Sequence, residues 1–506
     1  MLWWDLYLLI ADEKDMLKRL RLWNLKFELD QSSKLPTYIQ IVQKVVEEIQ
    51  TGRLQPSTPM PGSRQMATSL GLNRKTVVEA YEELVAQGWL SSKSRSRTYV
   101  SSDLPSFSKS PTKNTQPVRL PQDALTTCQS PANQWQTTEV EGYIRFTDGV
   151  PDTRLIPSEI LSRSFRRALL HSTKSNCLGY GDPKGRLELR QSVATMLNLE
   201  RGLSADTEQI CIVRGSQMGI FLAARVLTKK NDTVVVEELT YPPARDAFES
   251  CGANIVTVGV DAHGLNVDQL EALCRKKPVK AVYVTPHHQF PTTVMLSAER
   301  RLRLLMLAEK YGFYIIEDDY DHEFHFAHHP VLPLASTKKS SRVIYVGSLS
   351  KVLAPGLRVG YIVASHDFIN QCAAEILLID RQGNSLTEMA VSELINSGEV
   401  KRHIRRTFKV YQERRTTMEK TLTQELPQAE FTLPQGGLAF WVTLPTCKAI
   451  SSFIENANLA KVAVLQGSLF TYEKNDIQAI RMGFASLNHD EIIDGLKRLN
   501  TVLLKS

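Results

Sequence analysis

The chain of 506 residues is 42% hydrophobic and 23% charged, a composition that excludes a fibrous or wholly disordered protein. Its length predicts about three compact units, over which a formal net charge of +7 is weak evidence for a polyanionic partner. The seven cysteines include no Cys-x-x-Cys pair, which excludes the common zinc spacing and a secreted disulfide framework and favours a reducing cytoplasm.

Residues 1–26 begin with an apolar, Trp-rich run that Asp5 interrupts. The run is far shorter than the roughly 20 residues that span a bilayer, and no basic segment precedes it, so neither a membrane span nor a signal peptide is expected. The basic, amphipathic stretch that follows could form a helical arm or contact a membrane surface. We favour a third interpretation, an extension from an upstream start codon, and expect no membrane partner.

Residues 27–100 have the pattern of three helices followed by two short strands. Apolar residues recur at helical spacing over residues 38–49. Ser63 and Asn73 stand where the caps of a second and a third helix are expected, and residues 90–100 read as a hairpin. This order predicts a helix-turn-helix with a wing.

The third helix of such a unit enters the major groove of DNA by its N-terminal residues. Between Arg53 and Val100 there are seven basic and three acidic residues, a local excess of +4, and the acids lie further along the third helix. An ordinary solvated helix face is the alternative, but this position favours DNA binding. The side chains offered to phosphates and base edges are Arg64, Asn73, Arg74, Lys75, Thr76, Lys93, Arg95 and Arg97.

The segments PGSRQMATSLGLNRKTVVEAYEELVAQGWL and RTYV resemble the winged-helix domain of GntR-type bacterial regulators. The resemblance implies double-stranded operator DNA as a partner. The sequence departs from the family in the wing, where two glycines usually precede TYV and this chain has Arg95 and Arg97. Loss of the glycines removes the usual tight turn, while the two arginines could strengthen contacts with phosphates or the minor groove.

Residues 101–141 contain five prolines, many Ser and Thr, and few periodic apolar positions. Such a segment cannot bury a core and is expected to be a flexible linker. At roughly 3.3 Å per residue it could hold the folded parts far apart or cross to a partner chain.

Residues 142–506 alternate helical patterns with short apolar strands, which predicts an α/β domain with a largely parallel sheet. The predicted strands are Gln209–Val213, Thr233–Val236, Asn254–Val258, Ala281–Thr285, Tyr314–Glu317, Val343–Gly347 and Arg358–Val363. Ligands of such sheets bind beyond the carboxyl ends of the strands. Residues from about 385 to 506 are expected to form a smaller α+β lobe.

Four groups of polar residues follow these strands. Residues 214–219 open a helix whose N–H groups and serine hydroxyl could hold a phosphate. The carboxylates of residues 317–321 could bind a metal ion or pair with a protonated ring nitrogen. Residues 347–351 supply hydroxyls and a lysine amine for an imine, with Arg358 seven positions on. Arg481 offers a bidentate clamp for a carboxylate.

In this order the four groups resemble the fold-type I pyridoxal phosphate enzymes of the aspartate aminotransferase superfamily. The resemblance implies pyridoxal 5'-phosphate bound as a Schiff base on Lys351, with Asp318 holding the pyridine nitrogen protonated and Tyr320 bonding the ring hydroxyl. It implies that Arg481 takes a substrate carboxylate, and it implies no metal. The other implied cofactor contacts are Ser216, Gln217, Ser348 and Arg358 at the phosphate, Tyr241 stacked on the ring, and Tyr180 reaching the phosphate of the partner subunit.

One loop departs from that family. These enzymes commonly have Asn-Pro-Thr-Gly beside the ring, whereas this chain has His-Gln-Phe-Pro-Thr-Thr over residues 288–293. His-Gln-Phe-Pro-Thr is a form found in regulators fused to such a domain, so Gln289 or His288 is expected to stand in for the asparagine. Thr293 replaces the glycine and leaves the loop geometry open.

The wing, linker and aminotransferase-like body together resemble the MocR subfamily of transcriptional regulators over about residues 27–500. The resemblance implies a head-to-tail homodimer that senses pyridoxal phosphate or a small amino compound and controls genes of vitamin B6 or amino-acid metabolism. The alternatives are a functional aminotransferase with a passive winged helix and a cofactor-free scaffold. The sequence does not identify the operator or the effector. It also does not distinguish an activator from a repressor, or a chain that catalyses transamination from one that does not.

Overall fold

The computed structural model describes residues 29–30, 32–33, 35–92, 97–104, 142–146, 149–174, 178–326, 331–337, 341–445, 447, 449–473 and 477–504. The chain divides into two compact units between Gln136 and Thr137. The predicted extension of residues 1–26 and the linker residues 105–141 lie outside the described ranges. Within those ranges, no helix combines the length and hydropathy that a membrane span requires.

The first unit consists of three helices and a two-stranded antiparallel hairpin. These are α1 (Thr37–Gln50), α2 (Ser63–Leu70), α3 (Arg74–Ala86), β1 (Leu90–Ser92) and β2 (Thr98–Val100). The apolar faces of α1 and α3 meet in one core, whose fully buried members include Ile41, Val45, Val77, Ala80 and Leu84. The predicted winged helix-turn-helix is therefore confirmed.

Local signals set the turn between α2 and α3. Gly71 ends α2 with a φ of +63°, and the Asn73 side chain accepts a hydrogen bond from the Lys75 backbone N–H at 2.9 Å, which confirms the predicted cap. Ser63 is not the cap of α2, because the helix begins at Ser63 and Gly62 precedes it without a side-chain hydrogen bond. The turn leaves Arg74 and Lys75 on the first turn of α3.

A seven-stranded sheet forms the centre of the second unit. Its strands are β4 (Ile210–Val213), β5 (Thr233–Glu237), β6 (Asn254–Val258), β9 (Ala281–Val284), β10 (Tyr314–Asp319), β11 (Val343–Ser348) and β12 (Gly360–Val363). Their order is β4-β12-β11-β10-β9-β5-β6, and the contacts from β11 through to β6 are all parallel. Only β12 is antiparallel to both of its neighbours. The prediction of a largely parallel sheet is confirmed.

Helices pack around this sheet, and its central strands are consequently apolar and buried. The helices are α4 (Ser158–Lys174), α5 (Leu187–Arg201), α6 (Gly215–Leu227), α7 (Pro242–Ser250), α8 (Val267–Lys276), α9 (Ala298–Tyr311), α10 (His366–Ile379), α11 (Ser385–Asn396) and α12 (Glu399–Glu425). A small hairpin, β7 (Val260–Asp261) and β8 (Gly264–Leu265), precedes α8. The carboxyl ends of β4, β5, β9, β10 and β11 share one edge, where three of the four predicted polar groups lie; Arg481 belongs to the smaller lobe.

A smaller lobe has its own antiparallel sheet, in the order β13-β14-β17-β16. Its elements are β13 (Glu430–Phe431), β14 (Ala439–Thr443), α13 (Ile450–Leu459), β15 (Val462–Ala463), β16 (Leu465–Gln466), β17 (Ala479–Gly483) and α14 (His489–Leu503). The strand β3 (Ile144–Arg145) pairs in parallel with β15. Residues 144–145 therefore also belong to the smaller lobe, which the sequence predicted to consist of residues 385–506 alone.

Candidate functional site

The first turn of α3 places basic side chains on the surface of the first unit. Arg74 and Lys75 are exposed, and Arg74 Nε lies 3.5 Å from Ser63 Oγ at the start of α2. Lys93 and Arg95 of the predicted interface lie outside the described residues. Its other members are exposed, apart from the half-buried Thr76: Arg64, Asn73, Thr76 and Arg97.

Arg53 does not belong to this basic surface. Its Nε and Nη2 each lie 2.6 Å from a carboxylate oxygen of Glu48, so its charge is neutralised by a bidentate pair. Lys44 on α1 is likewise paired, 2.8 Å from Glu47. Among the described residues of the first unit, the basic side chains available to a polyanion are therefore Arg64, Arg74, Lys75 and Arg97.

In the second unit, Asp318 lies buried near the end of β10 and is only partly satisfied. Its Oδ2 accepts a hydrogen bond from the Tyr283 hydroxyl on β9 at 2.8 Å. Its Oδ1 is buried and has no hydrogen-bond partner among the described residues. Burial raises the pKa of this carboxyl to about 7, while the nearby Lys351 ammonium lowers it. A carboxylate oxygen is thus available for a cationic or N–H partner.

Lys351 follows β11 and lies half-buried beside Asp318 and Tyr320. Its Nζ is 4.4 Å from the centroid of the Tyr320 ring. The Tyr320 hydroxyl donates to the His288 carbonyl at 3.1 Å, which fixes the ring below the amine. The structure therefore brings three predicted residues, Lys351, Asp318 and Tyr320, to one place at the sheet edge.

The N-terminus of α6 and Arg358 form a cradle for an anion. Arg358 Nη2 donates to the Arg214 carbonyl at 3.0 Å, and a Cβ on Gly215 would lie 2.9 Å from the same nitrogen. Gly215, with a φ of +77°, is therefore required for the guanidinium to lie over the helix start. Backbone N–H groups of a helix start and a guanidinium both bind phosphate oxygens. A cavity of ≈ 330 Å³ adjoins Arg214 and Arg358.

Ser348 and Gln217 border this cradle together with Ser350, which was predicted only as one of the hydroxyls of residues 347–351. Ser348 Oγ accepts from the Ser350 N–H at 3.1 Å, and Gln217 Nε2 donates to the Pro243 carbonyl at 3.2 Å. Ser350 Oγ and Gln217 Oε1 are buried and lack hydrogen-bond partners among the described residues. Buried polar atoms of this kind usually have a partner, so the site fits a polar ligand. The Ser-x-Ser-Lys spacing was the available signal for Ser350.

The Gln289 side chain is buried and holds its own loop together. Its Nε2 donates to the Leu239 carbonyl at 2.5 Å, and its Oε1 accepts from the Thr292 hydroxyl at 2.6 Å. His288 Nδ1 lies 2.8 Å from Asp321 Oδ1. Protein partners occupy these polar atoms, and the expectation that Gln289 or His288 stands in for the asparagine beside the cofactor ring stays a prediction.

Arg481, Tyr241 and Tyr320 meet around Phe290. The Arg481 Cζ lies 4.3 Å from the Phe290 ring centroid, and Nη1 donates to the Pro291 carbonyl. Tyr241 and Tyr320 contact the same phenyl ring edge-on, with centroids 5.2 and 5.9 Å away. Phe290, which was not predicted, therefore connects the expected carboxylate clamp, the expected stacking ring and Tyr320.

Tyr180 lies apart on the surface of the second unit. Its side chain is 79% exposed, and the Arg381 guanidinium covers one face of the ring at 4.0 Å from the centroid. Leu178 and Leu187 nearby along the chain are also exposed. A cavity of ≈ 320 Å³ adjoins Tyr180. The contact with a partner subunit's phosphate stays a prediction.

Glu237, at the end of β5, is a buried acid that sequence reasoning missed. Its Oε2 accepts long hydrogen bonds of 3.3 Å from the Thr285 hydroxyl and from Gln289 Nε2. Burial raises the pKa of Glu237 to about 8. Since an unfolded glutamic acid has a pKa of about 4.3, the folded chain keeps a proton that the unfolded chain has released between these values. This group therefore lowers the stability as the pH rises towards 8.

We expect the Glu237→Gln substitution to reduce this pH dependence, because a neutral amide has no proton to lose. One proton contributes at most about 1.4 kcal/mol per pH unit, so the melting temperature of the wild type should fall more steeply between pH 5 and about 8 than that of the variant. Thermal unfolding over a pH series measures both slopes. Some slope should remain, since burial also raises the pKa of Glu317 and of Asp318 to about 7. Identical slopes would contradict the assignment.

Two family models match the chain. The model described as aminotransferase class I and II matches residues 144–499, which is most of the chain. The model described as bacterial regulatory proteins, gntR family, matches residues 37–100.

The probable rhizopine catabolism regulatory protein MocR of Rhizobium meliloti is 28% identical over 504 residues, 94% of this chain and 95% of that protein. Aromatic-amino-acid aminotransferase 1 of Thermococcus litoralis is 31% identical and covers 71% of this chain and 88% of its own length. Among solved structures, the α-aminoadipate aminotransferase LysN of Thermus thermophilus, complexed with N-(5'-phosphopyridoxyl)-L-leucine, has a TM-score of 0.67 at 28% identity and covers 72% of this chain and 93% of its own. The likeness to the regulator spans both units, whereas that to the aminotransferases covers the second.

Proposed function

Because the chain belongs to the aminotransferase class I and II family and carries a GntR-family DNA-binding domain in front, as MocR-type regulators do, we propose that it is a ligand-sensing transcriptional regulator. Its partners are double-stranded operator DNA and an effector, either pyridoxal phosphate or a small amino compound. The regulated genes belong to vitamin B6 or amino-acid metabolism. One observation carries the proposal. The same chain has exposed basic residues at the start of α3 and a pocket whose buried polar groups lack partners among the described residues.

The pocket fits pyridoxal phosphate, the cofactor that this family uses. Asp318 would hold the ring nitrogen through Oδ1, which lacks a partner among the described residues, and Lys351 would anchor the cofactor covalently. Arg358, Ser350 and the N–H groups at the start of α6 would hold the phosphate. When bound, the cofactor supplies an electron-withdrawing ring for chemistry on an amino group.

The surrounding side chains position the reacting groups. Tyr283 donates to Asp318 Oδ2 and leaves Oδ1 for the ring nitrogen, on which the carboxylate would keep a proton. Tyr320 lies below the Lys351 amine and orients it. Arg481 is fixed by Phe290 and would bind the carboxylate of an amino compound.

The proposed organisation is a winged helix at residues 27–100, a linker at 101–141 and an aminotransferase-like body at 142–506, paired as a head-to-tail homodimer. In that dimer, the exposed Tyr180 reaches the partner subunit's phosphate site. We propose that the aminotransferase-like body has two conformations. An effector regulates DNA binding only if these two conformations bind it with different affinities. The linkers then convert the favoured conformation into the spacing of the two winged helices.

The test is a titration of the full-length protein against DNA from the promoter region next to its own gene, with fluorescence anisotropy as the readout. It is run without ligand, with pyridoxal phosphate and with candidate amines, and a scrambled duplex of equal length is the control. We expect the affinity for the promoter DNA to change by about 5- to 150-fold between ligand states, the usual range of allosteric coupling. Absence of specific binding in every ligand state would refute the proposal.

A functional aminotransferase with a passive winged helix is the second candidate, because Lys351, Asp318 and Arg358, which we propose to hold the cofactor, would serve such an enzyme equally well. Steady-state transamination with 2-oxoglutarate distinguishes the two functions. Turnover that Lys351→Ala abolishes, together with no specific DNA binding, would favour the enzyme. Ligand-dependent DNA binding would favour the regulator, whether or not slow turnover accompanies it.

A further inference from the structure

Four of the eleven histidines of the chain lie in two neighbouring loops of the second unit, and we call them the histidine cluster: His287, His288, His322 and His325. The first two follow β9 and the last two follow β10. Since β9 and β10 are parallel neighbours, their carboxyl ends bring the two loops together. All four residues are buried, at 8% exposure or less. No step proposed for the cofactor pocket uses any of these imidazoles.

Three members of the cluster have the spacing of metal ligands. His288 Nε2 and His325 Nδ1 lie 3.3 Å apart. A tetrahedral zinc ion with Zn–N bonds of about 2.0–2.1 Å holds its nitrogen ligands about 3.3 Å from one another. The His287 ring centroid is 4.5 Å from that of His288 and 5.5 Å from that of His325. One ligand atom from each of the three lies within 4.8 Å of the other two.

His287 distinguishes a metal site from a simple chain of hydrogen bonds. A bond between His288 and His325 accounts for those two rings, but both nitrogens of the His287 ring are buried without a hydrogen-bond partner among the described residues. A neutral imidazole has one N–H and one lone pair, and leaving both unsatisfied in the interior is unfavourable. A neutral imidazole at this position would offer a lone pair to a cation.

The surroundings of His288 favour the same interpretation. Asp321 Oδ1 lies 2.8 Å from His288 Nδ1, so the proton is expected on Nδ1 and the lone pair on Nε2. A carboxylate behind a histidine is the usual arrangement at zinc sites. Asp321 Oδ2 is buried without a partner among the described residues and supplies negative charge. A Cβ on Gly436 would collide with the His288 imidazole, so glycine there allows the backbone to approach this ring closely.

We propose that His287, His288 and His325 bind one Zn²⁺ ion, with Asp321 positioning His288. The ion would tie the loop after β9 to the loop after β10, and so brace Gln289 and Phe290 beside the cofactor pocket. This inference does not depend on the proposed regulatory function, since the ion is held by the fold itself. The sequence indicated metal binding only as one alternative for the carboxylates of residues 317–321 and gave no signal for these histidines, because the two loops meet only through the order of the strands.

Asp319 and His322 form a second possible set with His287, but it is the weaker one. Asp319 Oδ2 already accepts from the Tyr345 hydroxyl at 2.6 Å, and it lies 2.9 Å from His322 Nδ1 and 3.5 Å from Arg201. A nearby guanidinium disfavours a second cation at that carboxylate. The test therefore separates the two sets.

The full-length protein is stripped with a chelator, incubated with excess zinc, passed through a desalting column and assayed by mass spectrometry for metal. We expect about one zinc per chain in the wild type and less than about a tenth of that in His287→Phe and His325→Phe. Phenylalanine fills the buried space without offering a ligand. The matched control is His403→Phe, which replaces a buried histidine of α12 and should retain the zinc. Chelation should lower the melting temperature of the wild type but not that of His325→Phe.

A measurement on the wild type keeps the test decisive even if a variant fails to fold. Cobalt(II) added to the stripped protein should give the intense visible absorption of a tetrahedral site, and zinc should displace it. Two outcomes would overturn the proposal. The first is a wild type that retains no zinc and shows no such absorption. The second is loss of zinc in His322→Phe with full retention in a folded His325→Phe, since this would place the ion beside Asp319.

Discussion

Replacing Lys351 by alanine is expected to abolish the visible absorption of the chain loaded with pyridoxal phosphate and to remove any effect of this cofactor on DNA binding. The half-buried amine lies 4.4 Å above the Tyr320 ring and lowers the pKa of Asp318, so it is the amine placed to react at this edge of the sheet. Its loss removes both the covalent bond and a positive charge beside Asp318. We expect the affinity for the cofactor to fall by at least about tenfold.

Two further variants isolate the covalent contribution. Lys351→Arg keeps the positive charge but offers no reactive amine, so it should lose the absorption as fully as the alanine variant. Lys310→Ala removes an exposed lysine that pairs with Glu271 and should bind the cofactor normally. Treatment of the wild type with borohydride should attach the cofactor to a peptide that contains Lys351. Attachment to another lysine, or a normal spectrum in Lys351→Arg, would reject this anchor.

Much of the second unit could be predicted because parallel strands leave strong local signals. Each buried strand is a short apolar run, and the polar residues that follow it must lie at the carboxyl edge. Lys351, Asp318 and Tyr320 come from two such strand ends and meet in the structure without any need to predict helix packing. The pairing of β3 with β15 could not be predicted in this way, because it joins residues more than 300 positions apart by two short ladder contacts.

The direction of a side chain, by contrast, cannot be predicted from the spacing of residues along the sequence. The partners of the Gln289 amide could not be predicted from the sequence, since the loop folds back so that Leu239 and Thr292 bond it. Tyr283 lies within an aliphatic strand, and only the register of β9 against β10 brings its hydroxyl to Asp318. In the same way, Arg53 counted towards the basic excess until the structure paired it with Glu48.

The double substitution Arg74→Ala and Lys75→Ala in the first turn of α3 is expected to weaken DNA binding strongly. The pairing of Arg53 with Glu48 supplies the control for this prediction. Both side chains are exposed where a recognition helix meets DNA. Each contact with a base edge accounts for about 1–3 kcal/mol, so the affinity for promoter DNA should fall by about 30-fold or more. Each lost phosphate contact should also reduce the slope of log K against log salt by about 1.

The charge-matched control is Lys44→Ala with Arg53→Ala, which also removes two positive charges from the first unit. Because Glu47 and Glu48 already pair with these side chains, their loss leaves the basic surface at the start of α3 intact. Alanine favours helix, and the Asn73 cap bonds a backbone N–H, so the test variant should fold as stably as the wild type. Anisotropy titrations at several salt concentrations compare the three proteins. If net charge alone drove binding, both double variants would weaken it equally. Only a groove-reading helix makes the loss of Arg74 and Lys75 far more costly than the loss of Lys44 and Arg53.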